Sequence, residues 1–92
     1  MAEATIVKKL KVLNEYGIHA RPAALLVKAA GKYDCEILVE KDGNKVSCKS
    51  IMGLMTIEGF PGSVLQVSAS GSDARDAMAE IEELFANKFY ED

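Results

Sequence analysis

The sequence predicts an α+β fold, a two-layer sandwich of a four-stranded sheet and three helices in the order βαββαβα. Three observations carry the prediction. Four stretches alternate apolar and polar residues with period two, the pattern of strands with one covered face. Three others repeat apolar residues at helical spacing or begin behind a capping residue. Clusters of Gly, Pro, Asp and Asn punctuate the boundaries. The 92 residues fit one domain spanning 1–92, and a hydrophobic fraction of 49% is ordinary for a globular chain.

Residues 5–13 read as the first strand, with Leu10 and Val12 toward a core and Lys9 and Lys11 toward water. Asn14-Glu15-Tyr16-Gly17 breaks that period. From Pro22 to Ala30 the period becomes helical, with Ala23, Leu26, Val27 and Ala30 on one face and Gly31 as the stop. Cys35 to Glu40 alternates again, Lys41-Asp42-Gly43-Asn44 signals a hairpin, and Lys45 to Cys48 returns. Ser50 before Ile51-Met52-Gly53-Leu54-Met55 is an N-cap signal for a short second helix. Ser63 to Ala69 forms the fourth strand, with Leu65, Val67 and Ala69 on one face. Gly71-Ser72-Asp73 opens the last helix, whose stripe is Ala74, Ala77, Met78, Ile81, Leu84 and Phe85, with Asp73 and Asp76 suited to the positive end of its dipole.

Composition narrows the function. Net charge is −3 without a basic block, which argues against nucleic acid or an anionic membrane as partner. No apolar run is long enough to span a bilayer, and Met1-Ala2-Glu3-Ala4-Thr5 lacks the pattern of an export signal, so a cytoplasmic location is expected. Cys35 and Cys48 fall on inward positions of their strands. A hairpin turning at Asp42-Gly43 places position 48 opposite 37, and one turning at Gly43-Asn44 places it opposite 39. Neither register pairs the two cysteines, so both are expected as reduced core thiols.

The chemistry concentrates in Gly17-Ile18-His19-Ala20-Arg21-Pro22-Ala23, which holds the protein's only histidine. A helix N-terminus gathers unpaired backbone N–H groups and the positive end of the macrodipole, a ready-made anion site. Pro22 suits the first helical turn, where its missing N–H is not needed, and Arg21 adds a fixed charge for phosphate. Imidazole at that place could accept a phosphoryl group. The helix end and Arg21 disfavour the imidazolium and so favour the neutral nucleophile, and the same groups could then meet the new negative charge. Ala20 and Pro22 would line the phosphate at the helix start. Beside His19, Tyr16, Ala24, Ile51, Met52 and Met55 are candidates for a docking patch, since methionine adapts to several partners. The helical spacing places Ile51 and Leu54 nearer the core and Met52 and Met55 nearer the surface.

These residues, with Lys49-Ser50-Ile51-Met52-Gly53-Leu54-Met55, resemble the histidine-containing phosphocarrier family HPr of the sugar phosphotransferase system. The resemblance covers essentially the whole chain. It implies an open-faced β-sandwich, with a four-stranded antiparallel sheet and three helices on one face. It also implies a carrier, not a classical enzyme, with no cofactor. His19 would take a phosphoryl group from enzyme I and pass it to IIA domains of permeases, assisted by Arg21. Ser50 matches a serine that an HPr kinase phosphorylates, where it also serves as a helix cap. Many relatives carry a small polar residue where this chain has Tyr16, a difference that bears on partner choice. A monomer without metal or membrane insertion is expected.

Other functions fit less well. A histidine-nucleophile phosphatase needs a positioned general acid and a pocket, and this chain has no second histidine. One histidine and two core cysteines do not make a tetrahedral metal set. The alternative that stays open is a regulatory carrier of the nitrogen-related branch, which signals instead of feeding sugar uptake. The Lys49-to-Met55 motif looks more like the sugar-type or kinase-regulated relatives.

Overall fold

A computed structural model of the chain describes residues 5–91. The reading of Met1–Ala4 as free of an export signal lies outside the described residues. Seven elements follow the predicted order: β1 (Thr5–Lys11), α1 (Ala20–Ala30), β2 (Glu36–Lys41), β3 (Asn44–Ser47), α2 (Ile51–Met55), β4 (Val64–Ser70) and α3 (Ala74–Ala86). A short turn at Lys88–Tyr90 follows α3 and was not expected.

The sheet has the order β1-β4-β2-β3, and all its neighbours are antiparallel. β1 and β2 therefore run parallel with a one-strand gap between them, α1 makes the crossover, and β4 later fills the gap. The register Ile6↔Ala69, Lys8↔Val67, Leu10↔Leu65 and Ile37↔Ala69, Val39↔Val67 sets one apolar face across the three strands. The three helices cover that face. Leu26, Ala77, Met78, Ile81 and Phe85 join Ile37, Val39, Leu65 and Val67 in one buried cluster. At about 25 cal/mol per Å² of apolar surface removed from water, this layer contact is the main force holding the fold.

The hairpin resolves the two registers. Asp42 (φ 51°) and Gly43 (φ 83°) form its turn, and Lys41↔Asn44 closes it. Both central residues have the left-handed backbone of the two-residue turns that match strand twist. Cys48 then follows Ser47↔Leu38 and donates its N–H to the Ile37 carbonyl at 2.8 Å, so position 48 lies opposite 37. Both cysteines are buried and free. Burial pushes the Cys48 thiol up to about 12 and, with a hydrogen bond to Asp73, the Cys35 thiol up to about 11.

Two expectations are corrected, for β1 and α1, and Asp73 takes an unforeseen role. β1 ends at Lys11, and Leu13 is exposed, because the chain turns into the loop that carries His19. Helix α1 begins at Ala20, not Pro22, and buries Pro22 and Ala29 as well as the predicted stripe, while Val27 is half-buried. Asp73 stands before α3 but makes no side-chain cap bond. Its carboxylate instead accepts the backbone N–H groups of Asp34 (2.8 Å) and Cys35 (2.9 Å), tying the α1–β2 connection to the start of α3. A further feature lies on β1. Lys8 has the core-side register of its edge strand, and its Nζ reaches Glu82 of α3 at 3.1 Å. An inward lysine on an edge strand discourages pairing with another chain.

The hydrogen bonds that Asp73 accepts hold its carboxyl below the usual carboxylate range, the Asp34 N–H contributing most. A lowered pKa in the folded state stabilises above the unfolded pKa and loses that contribution as pH falls through the folded one. Asp73→Ala should therefore lower the urea midpoint at neutral pH. The gap to the parent should close as pH drops below the ordinary carboxylate range, and a gap independent of pH would contradict the assignment.

Candidate functional site

The site begins with the loop between β1 and α1. Gly17 has φ 67°, and a Cβ there would run into the Gly59 carbonyl. That close approach lets Ile18 donate its N–H to Gly59 O at 2.8 Å and bury its side chain, so His19 is presented from a loop pinned on both sides. His19 is the N-cap of α1, with an extended backbone. Its carbonyl accepts the first intrahelical bond, from the Ala23 N–H at 3.0 Å. Ala20, Arg21 and Pro22 are thus the first three helical residues, and their backbone positions precede any intrahelical bond. Pro22 has no N–H to lose there, which is why it fits the third helical position as well as the first. The N–H groups of Ala20 and Arg21 remain for an anion.

Around this helix end the structure gathers more than the motif named. The His19 side chain is 40% exposed, and the exposed Tyr16 ring meets it edge-on with centroids 6.3 Å apart. Arg21 donates from Nη1 to the Phe89 carbonyl at 2.7 Å and lies 3.4 Å from Glu91 Oε2. Glu91 Oε2 is 2.8 Å from His19 Nε2. Asn14, buried, donates its amide to Gly17 O at 2.8 Å and to Glu91 Oε1 at 2.9 Å. Burial disfavours the Glu91 charge, but hydrogen bonds from Asn14 and His19 and the charge of Arg21 prevail and hold its carboxyl below the usual range.

Asn14 and Glu91 are the site residues that sequence reasoning missed. Glu91 stands 72 residues from His19 and carries no local signal. The nearest hint was Phe89, a large apolar residue beyond the helical stripe, which is completely buried and anchors the turn against Phe85 with ring centroids 5.0 Å apart.

The expected docking residues divide. Met52 is 76% exposed, Met55 and Ala24 are exposed, and Leu54 is buried, as the spacing predicted. Ile51, expected nearer the core, is 40% exposed. A helix of five residues has a single inward row, and Leu54 and the half-buried Gly53 fill it against α1 and β3. Ser50 caps α2, its Oγ accepting the Gly53 N–H at 3.0 Å.

Comparison with known proteins now decides the family. The family described as "PTS HPr component phosphorylation site" matches residues 6–87. The chain belongs to the HPr family of phosphocarrier proteins of the phosphotransferase system. It is 46% identical to the phosphocarrier protein HPr of Treponema pallidum over 87 residues, covering 95% of this chain and 99% of that one. To an HPr-like protein Crh of Halalkalibacterium halodurans it is 44% identical over 74 residues, 80% of this chain and 88% of the relative. Among solved structures it resembles an HPr from Thermoanaerobacter tengcongensis, with a TM-score of 0.85 and 43% identity over 100% of this chain and 99% of that one. The HPr fold is thus the open-faced sandwich expected. Among the described residues, no helix is long and apolar enough to cross a membrane.

The geometry of the His19 loop predicts an asymmetry between two left-handed glycines. Gly62 (φ 87°) has open space where a Cβ would go, whereas Gly17 does not. Gly62→Ala should cost about 1–2 kcal/mol, the penalty of a left-handed backbone alone. Gly17→Ala should cost more in denaturant titration, and equal losses would contradict the packing of Gly17 on Gly59.

Proposed function

We propose that this HPr-family protein accepts a phosphoryl group on His19 from phosphorylated enzyme I and passes it to IIA domains of sugar permeases. The observation that carries the reading is the placement of one partly exposed imidazole at the N-cap of α1, beside Arg21 and two backbone N–H groups free of helical bonds. A phosphoryl transfer between carriers needs little covalent machinery from either, only in-line positioning and stabilised charge. Neutral imidazole supplies the nucleophile. After transfer the Ala20 and Arg21 N–H groups and the Arg21 guanidinium meet the phosphoryl oxygens, with Pro22 shaping the turn. The protein is a carrier in this reading, and its partners supply the remainder of the catalysis.

Tyr16, Ala24, Ile51, Met52 and Met55 form the docking surface for enzyme I and IIA domains. All five are exposed, and two flexible methionines suit one surface to several partners. Ser50 is the regulatory site for an HPr kinase. Its Oγ is engaged with the Gly53 N–H, so the kinase must draw it from its cap, and a phosphate there would add charge beside the docking patch. The protein works in the cytoplasm as a monomer, although a Thermoanaerobacter tengcongensis relative is described as an HPr dimer.

Incubation with enzyme I, magnesium and phosphoenolpyruvate should add one acid-labile phosphoryl group, absent from His19→Ala. Arg21→Ala should still be labelled, more slowly. Transfer onward to a sugar-permease IIA domain, and not to its nitrogen-branch counterpart, is the expected acceptor result. A folded protein left unlabelled beside a labelled relative would overturn the carrier reading.

A further inference from the structure

We propose that Glu91 is a positioning residue for His19. By accepting the Nε2 proton it fixes the tautomer and orientation of the ring and leaves the Nδ1 lone pair to receive the phosphoryl group. The proposal rests on the carrier reading above. It concerns a residue that lies beyond the stretch 6–87 matched to the family.

Three observations carry it. The first is the contact itself. Glu91 Oε2 lies 2.8 Å from His19 Nε2, and the Glu91 side chain is only 14% exposed. An ionised carboxylate is acceptor only, so in a neutral ring Nε2 carries the proton and Nδ1 the lone pair.

The second is that the carboxylate is held in turn. Asn14 spends one amide hydrogen on Glu91 Oε1 and the other on Gly17 O, two residues before His19. Its own Oδ1 is buried with no hydrogen-bond partner among the described residues. A buried, unpaired acceptor is unfavourable, so this amide is placed for its two donors. One side chain thereby ties the loop that carries the histidine to the carboxylate that orients it.

The third is the backbone that delivers Glu91. Lys88, Phe89 and Tyr90 have φ of 54°, 54° and 59°, three successive left-handed residues without a glycine. Non-glycine residues take that conformation at an energetic cost, and here it is held by the fully buried Phe89 ring and by the Arg21 bond to the Phe89 carbonyl. The strained turn aims Glu91 at the ring.

The transfer step then needs no proton movement on His19. The Nδ1 lone pair forms the new N–P bond, and the donor's bond to phosphorus breaks with its electron pair staying on the donor. The ring keeps its Nε2 proton, and the positive charge it gains faces the Glu91 carboxylate. Return of the phosphoryl group to an acceptor reverses the same steps. The arrangement is the orienting role that a buried carboxylate plays toward a catalytic imidazole elsewhere.

The test uses the full chain with its histidine labelled with ¹⁵N, recorded at alkaline pH. The parent should show a pyrrole-like Nε2 and a pyridine-like Nδ1. In Glu91→Ala the two nitrogen signals should converge as tautomers mix, and labelling by phosphorylated enzyme I should slow about 10-fold, the size of effect that orienting partners commonly have. Unchanged nitrogen signals, or an unchanged rate, would overturn the proposal. A purely structural role would shift stability and leave the nitrogen pattern in place. Should Glu91→Ala fail to fold, Glu91→Met keeps the side-chain length without an oxygen to accept the Nε2 proton and is judged by the same two readouts. If the parent itself takes no phosphoryl group, the carrier reading fails, and the nitrogen spectra still decide whether Glu91 sets the tautomer.

Discussion

Helix α1 begins at Ala20, and the backbone N–H groups of its first turn have no carbonyl one turn earlier to bond. That deficit is intrinsic to every helix start, but here the chain leaves it open. The N-cap is a histidine that makes no side-chain bond back to the helix, where Ser, Thr, Asp or Asn would have closed it. The third helical residue is a proline with no donor to satisfy. Two N–H groups and one guanidinium are thus gathered at a spot where an imidazole stands partly exposed. The proposed carrier function draws on that one constraint.

The rest of the molecule makes the helix start rigid. The β-α-β crossover places α1 on the sheet, and the stripe of Ala23, Leu26, Ala29 and Ala30 seals it there. Small residues dominate the stripe, which lets α1 sit close to α2 and α3. The loop before it is held by the Ile18 bond to Gly59, from the segment after α2. The C-terminal turn closes the other side through Arg21 and Phe89. Three segments far apart in sequence therefore hold one short stretch of backbone in place.

Much of this was legible in the sequence. Strands and helices were readable because their periods are local: Leu65, Val67 and Ala69 alternate, Ala74, Ala77, Met78, Ile81, Leu84 and Phe85 recur at helical spacing, and all nine are buried. Ser50 was readable as a cap because capping depends on residues three apart. Element ends were less so. Pro22 marks a first turn without saying which position of it, so the start of α1 fell two residues late. Ile51 was misplaced because a five-residue helix is too short for its spacing to define an inward face. Asp73 was read as suited to the dipole of α3, while its carboxylate is claimed by two N–H groups of another segment. Asn14 and Glu91 were not legible at all, since their contact depends on a left-handed turn at Lys88–Tyr90 that propensity does not favour.

The proposed carrier chemistry brings the phosphoryl group to rest at the open start of α1. Proton, nitrogen and phosphorus NMR on the phosphorylated protein tests it directly. Phosphorus should couple to Nδ1 of His19, and the Ala20 and Arg21 amide protons should shift downfield as they bond the phosphoryl oxygens. Phosphorus on another residue, or Ala20 and Arg21 amides that stay where they were, would contradict it.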